Sequence, residues 1–325
     1  MRRRLLLSLG GAASAAAILR NGTARAQAQN WPDRPVKLLL PYAPGGATDL
    51  MGRPWAEKLS QAFGQQFVIE NRGGAGGMIG TEAAAKSPPD GYTLFFAPGA
   101  TLTTLPILRK TPYDPIKSFT PIARMGDLVC GFVINPAAGP KTLHETIAYA
   151  KQNPGKLAFG SAGLGTSSQM RIEMLKFRAK VDILHVPYRG SADALNDLLP
   201  NTVQMMNEIN VLPHVKAGKL ILLNINYPTR HPEFPDVATL TELGLPDSDV
   251  PVWFSLLAPA GTPMAIVEKL NAKAREIAAS DDMKARMRAI NVVIPLQSPE
   301  QIAQHLVADI AATGNLIRDA NIKLE

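Results

Sequence analysis

The chain has 325 residues, which is long enough for two domains, and its single cysteine, Cys130, excludes an intramolecular disulfide. Its formal charge of +7 is concentrated near the N-terminus, because residues 1–26 carry five arginines and no acid, whereas the other 299 residues carry 29 basic and 27 acidic side chains. That balance gives no support for a nucleic-acid partner, and no cysteine or histidine pair has the spacing of metal ligands.

The first 26 residues have the pattern of a cleavable export signal. Three arginines at positions 2–4 precede an apolar run over residues 5–19, which is short for a membrane span, and Ala24 and Ala26 form a small-x-small cleavage site. We expect cleavage after Ala26, or alternatively after Ala28, and export to the periplasm; a retained N-terminal anchor is the competing interpretation. The arginines also fit a twin-arginine signal, although an ordinary Sec signal fits as well.

Strand and helix patterns alternate from Val36 onward. In the first half, strand patterns at residues 36–40, 67–70 and 92–97 alternate with amphipathic helices at residues 50–62 and 78–86. The order restarts in mid-chain, with strands at residues 156–159, 183–186, 203–206 and 220–225 and helices at residues 167–177 and 192–199. Strand–helix–strand order predicts parallel sheets covered by helices, and therefore an α/β fold.

Two apolar, proline-bounded segments, residues 121–135 and 250–258, are candidate crossovers between two lobes. We expect a discontinuous first lobe, residues 27–125 plus 255–325, a second lobe, residues 126–254, and a ligand cleft between them. Further along the chain, Thr262 before Pro263 predicts a capped helix start, and Ser298 opens a Ser-x-x-Gln capping box.

Three loops that join a strand to a helix carry the strongest functional signal. Gly45 and Gly46 let backbone N–H groups approach a ligand, and the positive end of the following helix dipole favours an anion. Taken alone, this loop is equally well explained as a tight turn. The loops at residues 160–168 and 187–192 repeat the pattern. Their convergence on one crevice, at the carboxyl ends of parallel strands, favours an anion site.

Other features near these loops have simpler explanations. Thr48 or Asp49 is a candidate cap for the first helix, and we expect Arg189, at the start of a later helix, to be solvated. The glycine-rich residues 73–77 match neither G-x-G-x-x-G nor G-x-x-x-x-G-K-[ST], so we expect a structural turn or close packing near the hinge there, rather than a nucleotide loop.

Catalytic patterns are weak. Ser161 does not lie in a G-x-S-x-G sequence, and His185 lies in an apolar strand, where a hydrogen-bonded core histidine is the default. No sequence pattern assembles a nucleophile, a base and an orienting group, so we expect no enzyme activity. A serine hydrolase that uses Ser161 or Ser167 is the alternative from another functional class.

Nine segments, taken in order, carry a family resemblance. They include Pro-Tyr-Ala-Pro-Gly-Gly-Ala-Thr-Asp at residues 41–49 and Phe-Gly-Ser-Ala-Gly-Leu-Gly-Thr-Ser-Ser at residues 159–168. The others are residues 31–36, 68–77, 84–94, 186–190, 212–220, 234–240 and 257–263. Together they cover essentially the whole chain after the signal, and they resemble the Bug family, the periplasmic receptors of tripartite tricarboxylate transporters.

The resemblance implies a two-lobed periplasmic-binding-protein fold of type II-like form, each lobe a mainly parallel sheet flanked by helices. It also implies a monomer without cofactor or metal, which closes on a small organic carboxylate and delivers it to the transporter's membrane permease. A sensor that signals to a membrane kinase is the alternative role. The implied ligand-binding residues are Tyr42, Pro44, Gly45, Gly46, Ala47, Thr48, Asp49, Ala97, Pro98, Ser161, Gly163, Gly165, Thr166, Ser167, Tyr188, Gly190 and Ala192.

The chain departs from the family pattern at the expected cleft. Tyr42 stands where the family usually has Phe, and Ala97 begins a less polar loop than usual. Where the family usually has an aromatic–Asp pair, this chain has Asn207 and Glu208, which we take as candidate ligand contacts. These departures leave the identity of the carboxylate open.

Overall fold

The computed structural model describes residues 30–246, 248–249 and 251–323. The strands in this part of the chain are β1 Val36–Leu40, β2 Phe67–Asn71, β3 Thr93–Pro98, β4 Phe119–Leu128, β5 Val133–Ile134, β6 Ala158–Ser161, β7 Leu184–Pro187, β8 Met205–Met206, β9 Ile221–Leu222, β10 Val252–Pro259 and β11 Val292–Val293. The α-helices are α1 Ala47–Phe63, α2 Met78–Ala85, α3 Thr104–Leu108, α4 Leu143–Gln152, α5 Ser167–Ala179, α6 Ser191–Leu198, α7 Leu212–Lys216, α8 Met264–Ala279, α9 Asp281–Ala289 and α10 Pro299–Asp319.

The predicted signal peptide, residues 1–26, and its alternative cleavage sites lie outside the described residues. Among the helices that the structure does describe, none combines the length and the hydropathy needed to cross a membrane.

The strands form two sheets, one in each lobe. The six-stranded sheet of the first lobe has the order β11-β4-β10-β3-β1-β2, and the five-stranded sheet of the second has the order β7-β6-β8-β5-β9. Parallel pairing joins β1 to β2 and β3, and β6 to β7 and β8. The pairs that involve β5, β10 or β11 are antiparallel. The predicted two-lobed α/β fold is confirmed, but the expectation of mainly parallel sheets is wrong, since both sheets are mixed.

The direction of β10 explains why the first sheet is mixed. A helix that connects two strands on one sheet returns the chain so that the second strand is parallel to the first, as in β1–α1–β2. β10 instead arrives from the second lobe and enters between β3 and β4, antiparallel to both. Local strand–helix patterns do not encode the direction of a strand that comes from another lobe.

The chain passes between the two sheets twice, and the second passage comes before β10, which contains most of the predicted segment at residues 250–258. β4 ends at Leu128 in the first sheet and β5 begins at Val133 in the second. After β9 the chain returns, and β10 begins at Val252 in the first sheet. The strand pairing assigns β4 and β10 wholly to the first sheet; the residue limits given above for the lobes remain a prediction.

The buried face of α1 fixes the position of the first strand-to-helix loop. Met51, Trp55 and Leu59, the predicted apolar face, are fully buried. The Trp55 indole also donates a hydrogen bond to the Met125 carbonyl of β4, with an N–O distance of 3.0 Å. A buried aromatic side chain with a satisfied N–H is a strong anchor, so the N-terminus of α1 is held at the edge of the sheet.

The two predicted caps in the C-terminal region had different outcomes. Ser298 forms the predicted capping box with Gln301 at the start of α10. The prediction for Thr262 was wrong: α8 begins at Met264 with Pro263 at the cap position, and the Thr262 hydroxyl donates back to the Pro259 carbonyl at 2.8 Å.

Candidate functional site

The loop between β1 and α1 presents a helix N-terminus to the second lobe. Gly46 is the N-cap of α1, and Gly45 has φ +81°, a left-handed conformation that glycine adopts without steric cost. A Cβ added to Gly46 would lie 3.1 Å from Ser191 Oγ, and one added to Gly45 would lie 3.8 Å from Ala192 Cβ. The N-termini of α1 and α6 therefore approach each other closely across the cleft.

Asp49 does not line the cavity between the lobes, but it holds the β1–α1 loop in place through hydrogen bonds. Its carboxylate accepts hydrogen bonds from the Gly45 N–H at 3.0 Å, from Arg53 Nε at 2.8 Å and from Asn71 Nδ2 at 3.2 Å. Burial opposes ionisation, but these donors outweigh it and hold the pKa of the Asp49 carboxyl below its ordinary value. The expectation that Thr48 or Asp49 caps α1 was wrong, because the N-cap is Gly46 and no side chain caps it.

The loop between β6 and α5 presents a second helix N-terminus. Thr166 is the N-cap of α5, and its hydroxyl donates to the Gly163 carbonyl at 2.6 Å. The Gly165 N–H donates to Gln169 Oε1 at 2.6 Å, so that group is already satisfied within the protein. Ser167, in the first turn of α5, lies on the cleft wall, where the N–H groups at a helix start have no intrahelical acceptor.

A cavity lies between the lobes where the N-termini of α1, α5 and α6 meet. Its volume is about 70 Å³, which is several times what one water needs. The predicted site residues that line it are Tyr42, Pro44, Gly46, Ala47, Thr48, Pro98, Thr166, Ser167, Gly190, Ala192, Asn207 and Glu208. We call this cavity the cleft.

Seven predicted site residues do not line the cleft: Gly45, Asp49, Ala97, Ser161, Gly163, Gly165 and Tyr188. Gly45 and Asp49 support the first loop, as described above. The Tyr188 hydroxyl donates to Asp197 at 2.6 Å, and Ala97 is fully buried within β3.

Eight lining residues were not predicted: Ala43, Leu128, Ala162, Ser168, Ser191, Asp193, Val252 and Phe254. Leu128, Val252 and Phe254 lie in the crossover segments, so those segments were the available signal for them.

Ser161 has a histidine partner that the sequence did not reveal. His185 Nε2 lies 2.6 Å from Ser161 Oγ, which corrects the expectation that no base stands near this serine. Ser161 is nevertheless fully buried and lies outside the cleft wall. Burial, assisted by Lys176, lowers the pKa of His185 to about 4, so its imidazole is a weak proton acceptor at neutral pH. This pair is poorly placed to attack a molecule held in the cleft.

A buried polar network supports the second-lobe side of the cleft. Asn207 and Glu208 follow β8, whose neighbour β6 runs parallel to it. The Arg171 guanidinium on α5 donates to Asn207 Oδ1 at 2.6 Å, and Asn207 Nδ2 donates to Asn226 Oδ1 at 2.6 Å. Arg171 Nη1 also lies 2.7 Å from Cys130 Sγ. These contacts fix Asn207 in orientation.

Two ionisable groups on the cleft wall have raised pKa values. Burial raises the pKa of the Glu208 carboxyl to about 7, although Arg171 and a hydrogen bond from Ser168 oppose the shift. Burial, with smaller contributions from Glu208 and Tyr113, raises the pKa of the Tyr42 hydroxyl far above its ordinary value. Tyr42 therefore remains protonated, and it donates to the Gly76 carbonyl at 3.2 Å.

A second cavity of about 400 Å³ lies between α5 and α10 and shares Ser167 and Val252 with the cleft. Its wall combines apolar side chains, such as Met170 and Met174, with the charged side chains of Arg178 and Asp309. Within the described ranges, no group of three or more His, Cys, Asp or Glu side chains is placed to hold a metal ion.

The geometry agrees with known receptors. A family model described as the tripartite tricarboxylate transporter family receptor, TctC, matches residues 51–322. Among solved structures, the periplasmic binding protein BugD is 31% identical, with a TM-score of 0.86 over 91% of this chain and 100% of that one.

Two further similar structures contain a ligand. An R. palustris protein with adipate is 32% identical, with a TM-score of 0.87 over 90% of this chain and 99% of that one. MatC from Rhodopseudomonas palustris with bound malate is 32% identical, with a TM-score of 0.84 over 88% of this chain and 100% of that one. The resemblance inferred from the sequence is confirmed, and the chain belongs to the TctC family of tripartite tricarboxylate transporter receptors, which includes the Bug proteins.

Proposed function

We propose that this receptor captures a small organic dicarboxylate in the cleft and then presents it to the membrane permease of a tripartite transporter. The observation that carries the proposal is the convergence of three helix N-termini, those of α1, α5 and α6, on one cavity between the lobes. Each contributes main-chain N–H groups and the positive end of a helix dipole, and both favour a carboxylate.

Hydrogen bonds from the protein to two carboxylates provide enough free energy for micromolar binding. A hydrogen bond to a charged group contributes about 1.5–3 kcal/mol, and micromolar affinity requires about 8 kcal/mol. Two carboxylates that each accept a few N–H or hydroxyl hydrogen bonds exceed this requirement before ordering costs are subtracted. The hydroxyls of Thr48, Ser167 and Ser191 line the cleft and add donors without a dedicated arginine.

Relatives and dimensions support the ligand class. The similar R. palustris structures hold adipate and malate, which are both dicarboxylates. The cleft is small, which favours a compact acid over a bulky one. We therefore propose an unbranched C4–C6 dicarboxylate as the ligand.

Location and delivery form a separate part of the proposal. The export pattern of residues 1–26 and the family membership support a periplasmic receptor that passes its ligand to the permease. Our proposal is that it does so as a monomer without a cofactor. A cross-linking experiment in cells tests this part, with recovery of permease subunits as the expected result. Recovery of a membrane kinase instead would favour the sensor role.

Isothermal titration calorimetry with succinate, malate, adipate, citrate and benzoate tests ligand capture. We expect micromolar binding of at least one dicarboxylate, and about tenfold weaker binding in Ser167→Ala, which removes a hydroxyl from the cleft wall. Ser87→Ala is the matched control, because its hydroxyl donates within the turn after α2, away from the cleft. Failure of every acid to bind would refute the carboxylate proposal.

A further inference from the structure

The second-lobe wall of the cleft contains an acid where a receptor for anions would be expected to place only donors. Glu208 lines the cleft, and only 9% of its surface is exposed. It stands directly before the short 3₁₀ turn Ile209–Val211, with extended backbone angles of φ −151° and ψ 161°. The end of β8 and this turn fix the main chain at Glu208 on the cleft wall.

Among the described residues, Arg171 is the cation that acts on Glu208, and it is shared with other groups. Arg171 on α5 attracts the carboxylate electrostatically, but its guanidinium is also committed to Asn207 and Cys130. The other ionisable groups near Glu208 are Tyr42, from the first-lobe loop, and Cys130, from the crossover after β4. Burial raises the pKa of both, so they are neutral at ordinary pH.

A second acid faces the same cavity from α6. Asp193 lies in the first turn of α6 and lines the cleft, but it is exposed to solvent. A dicarboxylate in the cleft would thus be close to a buried carboxyl group on one side and an exposed carboxylate on another. Repulsion between carboxylates is strong where water is excluded and weak where water screens it, so the buried group is decisive.

On the basis of the proposed function, we propose that Glu208 takes part in ligand binding in its protonated form and donates its O–H to one carboxylate of the ligand. The proton comes from solvent: each receptor whose Glu208 is ionised takes up one proton on binding, so the uptake per ligand approaches one as pH rises above the pKa of Glu208 in the empty cleft. The neutral acid replaces a repulsive contact by a hydrogen bond to a charged acceptor.

The electrostatics of the empty cleft make this step accessible near neutral pH. Burial raises the pKa of Glu208 to about 7, so a substantial fraction of the receptor is protonated there before ligand arrives. A ligand carboxylate beside Glu208 raises that pKa further, because a like charge disfavours ionisation. Affinity for a dicarboxylate is therefore constant at pH values just below the pKa of Glu208 in the ligand-free receptor. Above that pKa it falls by up to tenfold per pH unit.

Calorimetric titration of the wild-type receptor with succinate, malate and adipate between pH 6.5 and 9 tests the inference. Titrations at pH 8 in two buffers of different ionisation enthalpy count the protons. We expect uptake of about one proton per ligand at pH 8 and a progressive rise in Kd above about pH 7. Release of protons, no proton exchange, or affinity that is flat or rising with pH would overturn the inference while the carboxylate receptor stands.

Glu208→Gln is the informative variant, because it keeps the size and a donor group but cannot ionise. We expect its affinity to be independent of pH and close to that of the wild type at low pH. Asp193→Asn is the matched acid, and it should retain the wild-type slope against pH. If Glu208→Gln does not fold, the number of protons taken up by the wild type at pH 8, from the two-buffer titration, decides whether the inference holds. If none of the three acids binds to the wild type at any pH, the proposed function fails, and this inference fails with it.

Discussion

Single residues divide into those that line the cleft and those that hold the lining in place. Asp49 belongs to the second kind: it is 3% exposed and joins the Gly45 N–H, the Arg53 guanidinium and the Asn71 amide on one carboxylate. The first loop therefore depends on a group that does not line the cleft. Removing the charge leaves three donors facing a weaker acceptor.

Asp49→Asn tests this support. We expect the free energy of unfolding in urea at pH 7 to fall by about 1–3 kcal/mol, because donors that served an ionised acceptor lose it. Glu276→Gln is the control, since Glu276 is exposed and pairs with Lys273 on one helix; it should change stability by less than about 0.5 kcal/mol. Equal losses in both variants would contradict the account.

The same residue predicts a pH dependence. The pKa of Asp49 is lower in the folded protein than its unfolded value of about 3.9. Its stabilising contribution is therefore complete above that value and is lost as pH falls through the folded pKa. The difference in stability between wild type and Asp49→Asn should be constant from about pH 5 to 7 and shrink in stronger acid.

The sequence predicted at this scale where loops begin, but not which way side chains point. Thr48, Ser167 and Glu208 were predicted in the site and do line the cleft. Ser161 was predicted on the same grounds, but its hydroxyl turns inward to His185. Inward and outward positions in a loop depend on packing between segments far apart in sequence, and no local pattern records that packing.

At the scale of elements, the 73–77 loop, which follows β2 in the first lobe, touches the second lobe directly. A Cβ added to Gly76 would lie 2.1 Å from the Leu164 carbonyl oxygen, in the loop after β6. Only a residue without a side chain allows the two loops to meet in this way. The contact agrees with the close packing that was one of the two expectations for this loop, but the sequence did not reveal the partner, which lies almost ninety residues further along the chain. The loop forms part of the contact that closes the cleft.

Gly76→Ala tests this contact. We expect the added methyl group to keep the lobes apart, so that Kd for a dicarboxylate rises at least about tenfold, because only the closed fraction binds tightly. Gly218→Ala is the matched control: Gly218 has φ +70°, close to the +68° of Gly76, but nothing lies within 4 Å of an added Cβ. It should carry the same backbone strain with little change in Kd. Similar Kd changes in both variants would refute a closing role.

Most elements were predictable, and the exceptions share a cause. The predicted strand at residues 36–40 is β1 in full, and the predicted helix at residues 78–86 extends one residue beyond α2. Hydrophobic periodicity and glycine positions are local features of the sequence, so they predict helices and strands without knowledge of the fold. The direction of β10 and the length of β9, only Ile221–Leu222 of a predicted six-residue strand, depend on the neighbouring strands.

At the scale of the whole molecule, the two lobes are linked by crossovers that are rigid on the first-lobe side. Arg124 and Asp127, near the end of β4, form a buried ion pair with 2.6 Å between Nη2 and Oδ1. On β10, the Trp253 indole donates to Asp309 of α10 at 2.7 Å. Because both crossovers start from anchored strands, lobe movement is expected to concentrate in the segments after Leu128 and before Val252. Both of these residues line the cleft, so we expect ligand contact and closure to be coupled.

The central claim is that a dicarboxylate is held between the lobes by helix N-termini. A crystal structure of the receptor grown with the tightest-binding acid of the panel tests it most directly. We predict carboxylate oxygens about 2.7–3.2 Å from main-chain N–H groups in the first turns of α1 and α5, with one carboxylate beside Glu208. A ligand seated instead in the cavity between α5 and α10, with only water in the cleft, would contradict the account.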